Sequence, residues 1–337
     1  MRRILSRIGI LLCILGTAAT TILILYGVFH ETERRRVETE WTEKKTPRIS
    51  SDALGSTERL SILPLVNWHA LPGFRGEMGV SYLIRTDHIT ILFDVGQNTE
   101  GENPSPLLYN MKQSGISLSD IDSIFLSHKH FDHVGGKKWE RSGTFSLGNE
   151  QIGLNGKRIF VPGSITYPGA VPIRIEKPEV LYPGIASIGP ISRRLFIGTI
   201  DEQALVVNVR GKGLVLISGC GHQTLRKILQ RTGNTFSEKI YGIIGDLHYP
   251  VPTGRLEKFG INLQKVFASG EGPLKTLQWS DVANDVSILK KLNLSIVGIG
   301  GHDSSDETIR LFEDNFGASY RKVLVGKWIH VSPATRN

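Results

Sequence analysis

Strand-forming residues run from 121 to 127 and end directly on His128-Lys129-His130-Phe131-Asp132-His133-Val134-Gly135-Gly136. Imidazoles and carboxylates crowded this closely are not core-filling residues, because each buried polar group needs a partner or costs several kcal/mol. One shared partner removes that cost, and a metal ion is bound by both side-chain types. The strand in front also sets the location: a loop at a strand end, where rigid scaffolds carry chemistry. In an extended segment His128, His130 and Asp132 would point to one side and His133 to the other, so one loop could serve two ions.

The same arrangement recurs along the chain. Residues 81–85 and 89–94 read as strands joined by the turn Thr86-Asp87-His88, and Leu205–Val209 and Gly213–Ser218 as strands joined by Arg210-Gly211-Lys212. Residues 240–245 and 294–299 read as buried strands, with helical patterns at 107–111, 223–231 and 281–292. Strands alternating with helices predict an α/β core. Three strands run into Ser218-Gly219-Cys220-Gly221-His222, Gly245-Asp246-Leu247-His248 and Gly300-Gly301-His302-Asp303. Glycine lets the backbone turn tightly at each, and each turn delivers a further His or Asp.

Residues 8–29 carry no charge and are rich in Ile, Leu, Ala and Thr. At 1.5 Å per residue they extend roughly 33 Å, enough to cross a hydrocarbon core of about 30 Å. Residues 1–30 are therefore expected to be a membrane anchor; a signal-peptidase site at Gly16-Thr17-Ala18 fits less well, since the apolar run continues past it. Basic residues flank both ends, Arg2, Arg3 and Arg7 before it and Arg34, Arg35, Arg36, Lys44 and Lys45 after it, which leaves sidedness open. Residues 31–58 are charged and polar and contain Pro47, which predicts a linker or at most a frayed helix ahead of a domain at 59–337. The net charge of +8 is spread along the chain without a nucleic-acid motif, so a solvated basic surface is expected and no nucleic-acid partner. Cys13 and Cys220 are too few for a disulfide framework, and Cys220 reads as a small buried thiol. Oligomeric state leaves no signature.

The run from His128 to Gly135, Asp94 in Phe93-Asp94-Val95-Gly96, and the His222, Asp246 and His302 segments in that order resemble the metallo-β-lactamase fold superfamily over residues 60–331. Asp201-Glu202-Gln203-Ala204-Leu205, the 218–222 turn and Val325-Gly326-Lys327 resemble in particular the branch named for the dihydropterin-linked aminobenzene phosphate synthase of methanopterin biosynthesis. The resemblance implies an αββα four-layer sandwich behind one N-terminal transmembrane helix. It implies His128, His130 and His222 on one metal ion, Asp132, His133 and His302 on a second, Asp246 bridging, and Asp94 orienting the histidine loop. Asp132 and Asp94 are the carboxylates expected to serve the chemistry. The branch carries Gly at the position of Asp246 and a histidine two residues on, so His248 is an alternative ligand. It also continues Cys-Thr-Gly after the last histidine, where this chain has Asp303-Ser304-Ser305.

Two zinc ions are the expected cofactors, although His and Asp also suit manganese and iron. A redox di-iron member would carry a carboxylate at the position of His130. The implied function is hydrolysis of a small-molecule ester, thioester, lactam or phosphodiester by water activated between two ions. The alternatives are a pterin-synthase-like transferase on a phosphorylated substrate and a non-catalytic, membrane-tethered metal-binding module. Specificity is expected in the loops 74–80, 162–175 and 254–273.

Overall fold

A computed structural model describes residues 2–331, which form two compact units dividing after Lys44. Met1 and residues 332–337, the outermost parts of the expected anchor and domain, lie outside the described residues.

The first unit is the helix Arg2–Glu43. Its apolar part, with a mean hydropathy of 2.2 over the best 18 residues, is long and apolar enough to cross a membrane. The helix does not stop where charge begins. Glu31 bonds Arg34 at 2.8 Å and Arg35 at 2.7 Å, and Arg36 bonds Glu33 at 2.9 Å and Glu40 at 2.5 Å. Such i,i+3 and i,i+4 pairs each add about 0.2–0.5 kcal/mol to a helix. The expected linker is therefore regular helix as far as Glu43, and only the residues beyond it leave the helix.

The second unit holds two main sheets. In the first the strands lie in the order Ile329–Val331, Leu60–Val66, Ser81–Thr86, Thr90–Phe93, Ser123–Phe125, Arg158–Val161 and Ile173–Arg174. In the second the order is Ile296–Ile299, Ile240–Gly245, Gly213–Ser218, Leu205–Val209, Ile185–Ser187 and Glu179–Tyr182. Both expected hairpins are present, with Tyr82 opposite Phe93 in one and Leu205 opposite Ile217 in the other.

Alternation along each strand sorts side chains between layers. Ile62, Tyr82, Ile84, Phe93 and Phe125 of the first sheet meet Leu205, Val207, Ile217 and Ile244 of the second in one core. Leu63, Leu83, Leu92 and Ile124 face the other way, onto Leu107 and Met111 of the helix Pro106–Gln113. Beyond the second sheet, the helix Asp306–Phe316 contacts strand Ile296–Ile299 and the helix Trp279–Lys291. The chain is thus the expected αββα sandwich.

Five of these strands lead into turns that bear His or Asp. Thr90–Phe93 and Ser123–Phe125 run parallel in the first sheet, as do Gly213–Ser218, Ile240–Gly245 and Ile296–Ile299 in the second. Carboxyl ends of parallel strands are where open α/β sheets place ligands. The hairpin Ile191–Leu195 with Gly198–Glu202, which strand patterns in the sequence did not show, adds one more carboxylate at this edge.

Candidate metal centre

Asp94 leaves its strand in the left-handed region, at φ 53°. That conformation costs a non-glycine residue about 1–3 kcal/mol. A closed set of bonds holds it: Oδ1 accepts the Ser127 amide at 2.7 Å, while Oδ2 accepts the Ser127 hydroxyl at 2.6 Å and Nδ1–H of His133 at 2.7 Å. Because the Ser127 hydroxyl hydrogen goes to Asp94, its oxygen is left to accept Nδ1–H of His128 at 2.9 Å. Both rings thus carry their proton on Nδ1 and keep the lone pair on Nε2. Both Nε2 atoms are buried and have no hydrogen-bond partner. Gly219 makes this approach possible, since a Cβ there would lie 2.3 Å from Ser127 Oγ.

After Ser127 the chain turns, with the His133 amide donating to His130 O at 3.0 Å and the Gly136 amide to Phe131 O at 2.7 Å. The expected extended alternation is therefore replaced by a turn, which moves Asp132 away from His128 and His130 to the side of His133. The ligand atoms of His128, His130 and His222 lie within 4.8 Å of one another, as do those of Asp132, His133 and His302.

His222 is set by Glu202. Its buried carboxylate accepts the amides of Cys220 at 2.9 Å, Gly221 at 2.8 Å and His222 at 2.8 Å. His222 Nε2 lies 3.1 Å from His130 Nδ1, and His222 Nδ1 is buried without a hydrogen-bond partner. His302 is set by neighbours on both sides: Asn67 accepts the Gly301 amide at 2.8 Å, and Arg255 donates to Gly301 O at 2.8 Å and Ser304 O at 2.7 Å. His302 Nε2 lies 3.3 Å from Asp132 Oδ2 and 3.1 Å from Asp303 Oδ2.

Asp246 and His248 part company. Asp246 Oδ2 accepts Asn67 Nδ2 at 3.1 Å and Tyr82 OH at 3.3 Å, and it belongs to neither ligand trio. His248, at φ 52°, places Nδ1 2.9 Å from Asp303 Oδ2 and 3.3 Å from Cys220 Sγ. Asp303 and Cys220 were not singled out from the sequence as ligands. The adjacency His302-Asp303 and the step Cys220-Gly221-His222 were the available signals. Glu202 gave none beyond the resemblance.

Burial pushes His128 and His222 well below the usual imidazole range and His130 down to about 4, which keeps these rings neutral. Burial works the same way on His302, but Asp303 and Asp132 outweigh it and raise that ring well above its usual range. Burial alone would raise Asp132, yet His133 and His302 hold it below the usual carboxylate range. Burial, reinforced by Asp303, pushes the Cys220 thiol well up.

Divalent cations fit these residues. His128 Nε2, Asp132 Oδ1, His133 Nε2, His222 Nδ1, Asp246 Oδ1 and His248 Nε2 are all buried without hydrogen-bond partners. An unsatisfied buried group costs about 1–3 kcal/mol, and neutral imidazole nitrogens and carboxylate oxygens are zinc's donors.

Residues 74–140, which carry Asp94 and the histidine loop, match the metallo-beta-lactamase superfamily. Among solved structures, a metal-dependent hydrolase of the beta-lactamase superfamily is similar with a TM-score of 0.53 at 20% identity, over 81% of this chain and 99% of that one. Residues 74–140 thus match that superfamily, and the second unit has its fold. The chain is also 23% identical to the 7,8-dihydropterin-6-methyl-4-(beta-D-ribofuranosyl)-aminobenzene-5'-phosphate synthase of Methanocaldococcus jannaschii, over 82% of this chain and 98% of that protein. A shorter stretch of 67 residues is 37% identical to the transcription termination factor FttA of Cenarchaeum symbiosum, over 20% of this chain and 10% of that one.

Proposed function

We propose that the chain is a metal-dependent hydrolase for an ester, thioester, lactam or phosphodiester, with two divalent ions held by His128, His130 and His222 and by Asp132, His133 and His302. Zinc is the ion these donors favour. The observation that carries the reading is the pair of donor trios, in each of which one imidazole, His128 or His133, has its lone pair aimed by Asp94 and Ser127. Divalent ions bound there supply Lewis acidity and lower the pKa of nearby water. The chain's own residues do the rest. Asp94 is a positioning residue that fixes the His133 tautomer directly and the His128 tautomer through Ser127. Asp132, held anionic by His133 and His302, keeps Oδ1 without a hydrogen-bond partner and so available to the ion that those two rings would share. His130 is the partly exposed member of the trios and marks the side from which substrate arrives. Specificity is assigned to the loops 74–80, 162–175 and 254–273, and Arg255 in the last of these ties it to the His302 turn.

The similarity to the pterin-linked synthase favours a second reading, transfer on a phosphorylated substrate at the same centre. The N-terminal helix is proposed as a membrane anchor, and full-length chain resisting carbonate extraction from membranes supports that; a mature N-terminus beginning after residue 18 refutes it.

Metal content by inductively coupled plasma mass spectrometry, beside a panel of the four substrate classes, tests the function. Two equivalents of zinc and hydrolysis of at least one class are expected, both lost in the His128→Ala, His130→Ala double variant. Equal hydrolysis by the variant refutes the proposal. Turnover only with pterin and phosphorylated aminobenzene substrates selects the transferase, and bound metal without any turnover selects a binding module.

A further inference from the structure

Cys220, His248 and Asp303 stand on the turns after three adjacent parallel strands, Gly213–Ser218, Ile240–Gly245 and Ile296–Ile299. Cys220 Sγ is 2.5 Å from Asp303 Oδ2 and 3.3 Å from His248 Nδ1, and those two are 2.9 Å apart. His222, on the same turn as Cys220, completes a set of four donors within 4.8 Å of one another, its ring centroid 4.4 Å from that of His248. The four residues are 1%, 2%, 6% and 3% exposed for Cys220, His222, His248 and Asp303, so water does not satisfy them. His222 Nδ1 has no hydrogen-bond partner, and His248 meets Cys220 and Asp303 through Nδ1.

One sulfur, two imidazoles and a carboxylate make a tetrahedral zinc donor set. We infer that Cys220, His222, His248 and Asp303 form a thiolate-containing site for a zinc-class divalent ion, sharing His222 with the His128–His130 pair. Ligation breaks the S–H bond, the sulfur keeps the electron pair and donates it to the ion, and the proton leaves to solvent. A neutral imidazole has one lone pair, so His222 serves one ion at a time. The thiolate draws soft ions such as zinc, cobalt and cadmium to this position, whereas manganese prefers the oxygen- and nitrogen-only donors.

The inference rests on the proposal that the centre takes divalent cations, and the two can fail separately. The probe is zinc in the full chain carrying Cys13→Ser, which leaves Cys220 as its only thiol. Zinc K-edge absorption should show sulfur at about 2.3 Å beside nitrogen and oxygen at about 2.0–2.2 Å. Cobalt loading should give a near-ultraviolet thiolate-to-cobalt band that Cys220→Ser abolishes. If Cys220→Ser does not fold, the zinc-edge spectrum of the Cys13→Ser chain decides alone. Bound zinc with only nitrogen and oxygen neighbours overturns this site and leaves the proposed function standing. A chain that binds no zinc overturns both.

Discussion

Glu202 acts on the centre without being one of its ligands, and removing it measures how far the metal donors depend on their backbone. Its carboxylate is fully buried and collects the amides of Cys220 and Gly221 on Oε1 and of His222 on Oε2. The Gln223 side chain, with its amide nitrogen turned toward the carboxylate, donates to it as well, at 2.6 Å. Glu202→Ala strips an acceptor from three buried N–H groups, each worth about 1–3 kcal/mol when unsatisfied. Water entering the vacated space recovers part of this, so a loss of about 3 kcal/mol is expected, against a total stability of about 5–15 kcal/mol. Glu202→Gln keeps the shape, and its amide oxygen can take the Cys220 and Gly221 amides. Its NH2 then faces the His222 N–H, so about 1–3 kcal/mol is lost. Urea unfolding of the metal-free chain, followed by far-ultraviolet circular dichroism, reads both values. The displaced turn should also weaken zinc binding about 10–100-fold in chelator competition. A Glu202→Ala protein within about 0.5 kcal/mol of the parent, with unchanged zinc affinity, would refute the reasoning.

Asp94→Asn should also weaken zinc binding about 10–100-fold, because its NH2 group cannot accept the protons that Ser127 and His133 direct at Oδ2, and the ring tautomers are released. An unaltered affinity by competition would show that the tautomers are set elsewhere. Gly219→Ala puts a methyl 2.3 Å from Ser127 Oγ and 3.0 Å from Asp94 Oδ2, and overpacking of this kind costs about 1–3 kcal/mol by urea unfolding. No loss there would mean that the turn has room to move. Burial alone would raise Asp87, but the Thr57 hydroxyl and the Arg59 and Glu58 amides hold it down at about 2. A carboxyl depressed in the folded state stabilises above its unfolded pKa and loses that contribution as pH falls through the folded value. Discounted for solvent screening at this exposed position, Asp87→Asn should therefore cost about 1 kcal/mol at pH 7, a cost that fades as pH falls through about 2; a gap that stays constant with pH would refute it.

The strands of the centre were legible in the sequence because each is a short apolar run that leads into a turn bearing His or Asp. The 213–218 and 240–245 strands are buried along nearly all their length and leave a continuous hydrophobic signal. The hairpin that carries Glu202 left little: half of its positions are buried, but Arg194 and Glu202 are among them, so the apolar alternation is too short to read. The helical extension to Glu43 was hidden for another reason. Its charges look like a solvated linker when counted and like helix-stabilising pairs only when their spacing of three and four is noticed. The turn at His130 comes from backbone hydrogen bonds that no side-chain pattern announces.

What the fold adds is a division of labour among carboxylates that look alike in sequence. Asp94 and Glu202 have both oxygens occupied by donors from the protein, so neither has a lone pair directed at an ion, and their effect passes through Ser127, His133 and the 220–222 turn. Asp132 and Asp246 each keep one buried oxygen without a hydrogen-bond partner, so each can face a cation, but Asp132 alone shares a donor trio. Asp303 is different again. Gln264 holds Oδ1, while Oδ2 is left to Cys220, His248 and His302, donors that come from three separate turns. His302 and His248 offset the burial of this carboxylate and hold it well below the usual carboxylate range, so Oδ2 is an anionic acceptor shared by all three side chains. Asp303, in the turn where the resemblance led us to expect Cys-Thr-Gly, is therefore the residue at which candidate donors from all three neighbouring strands meet.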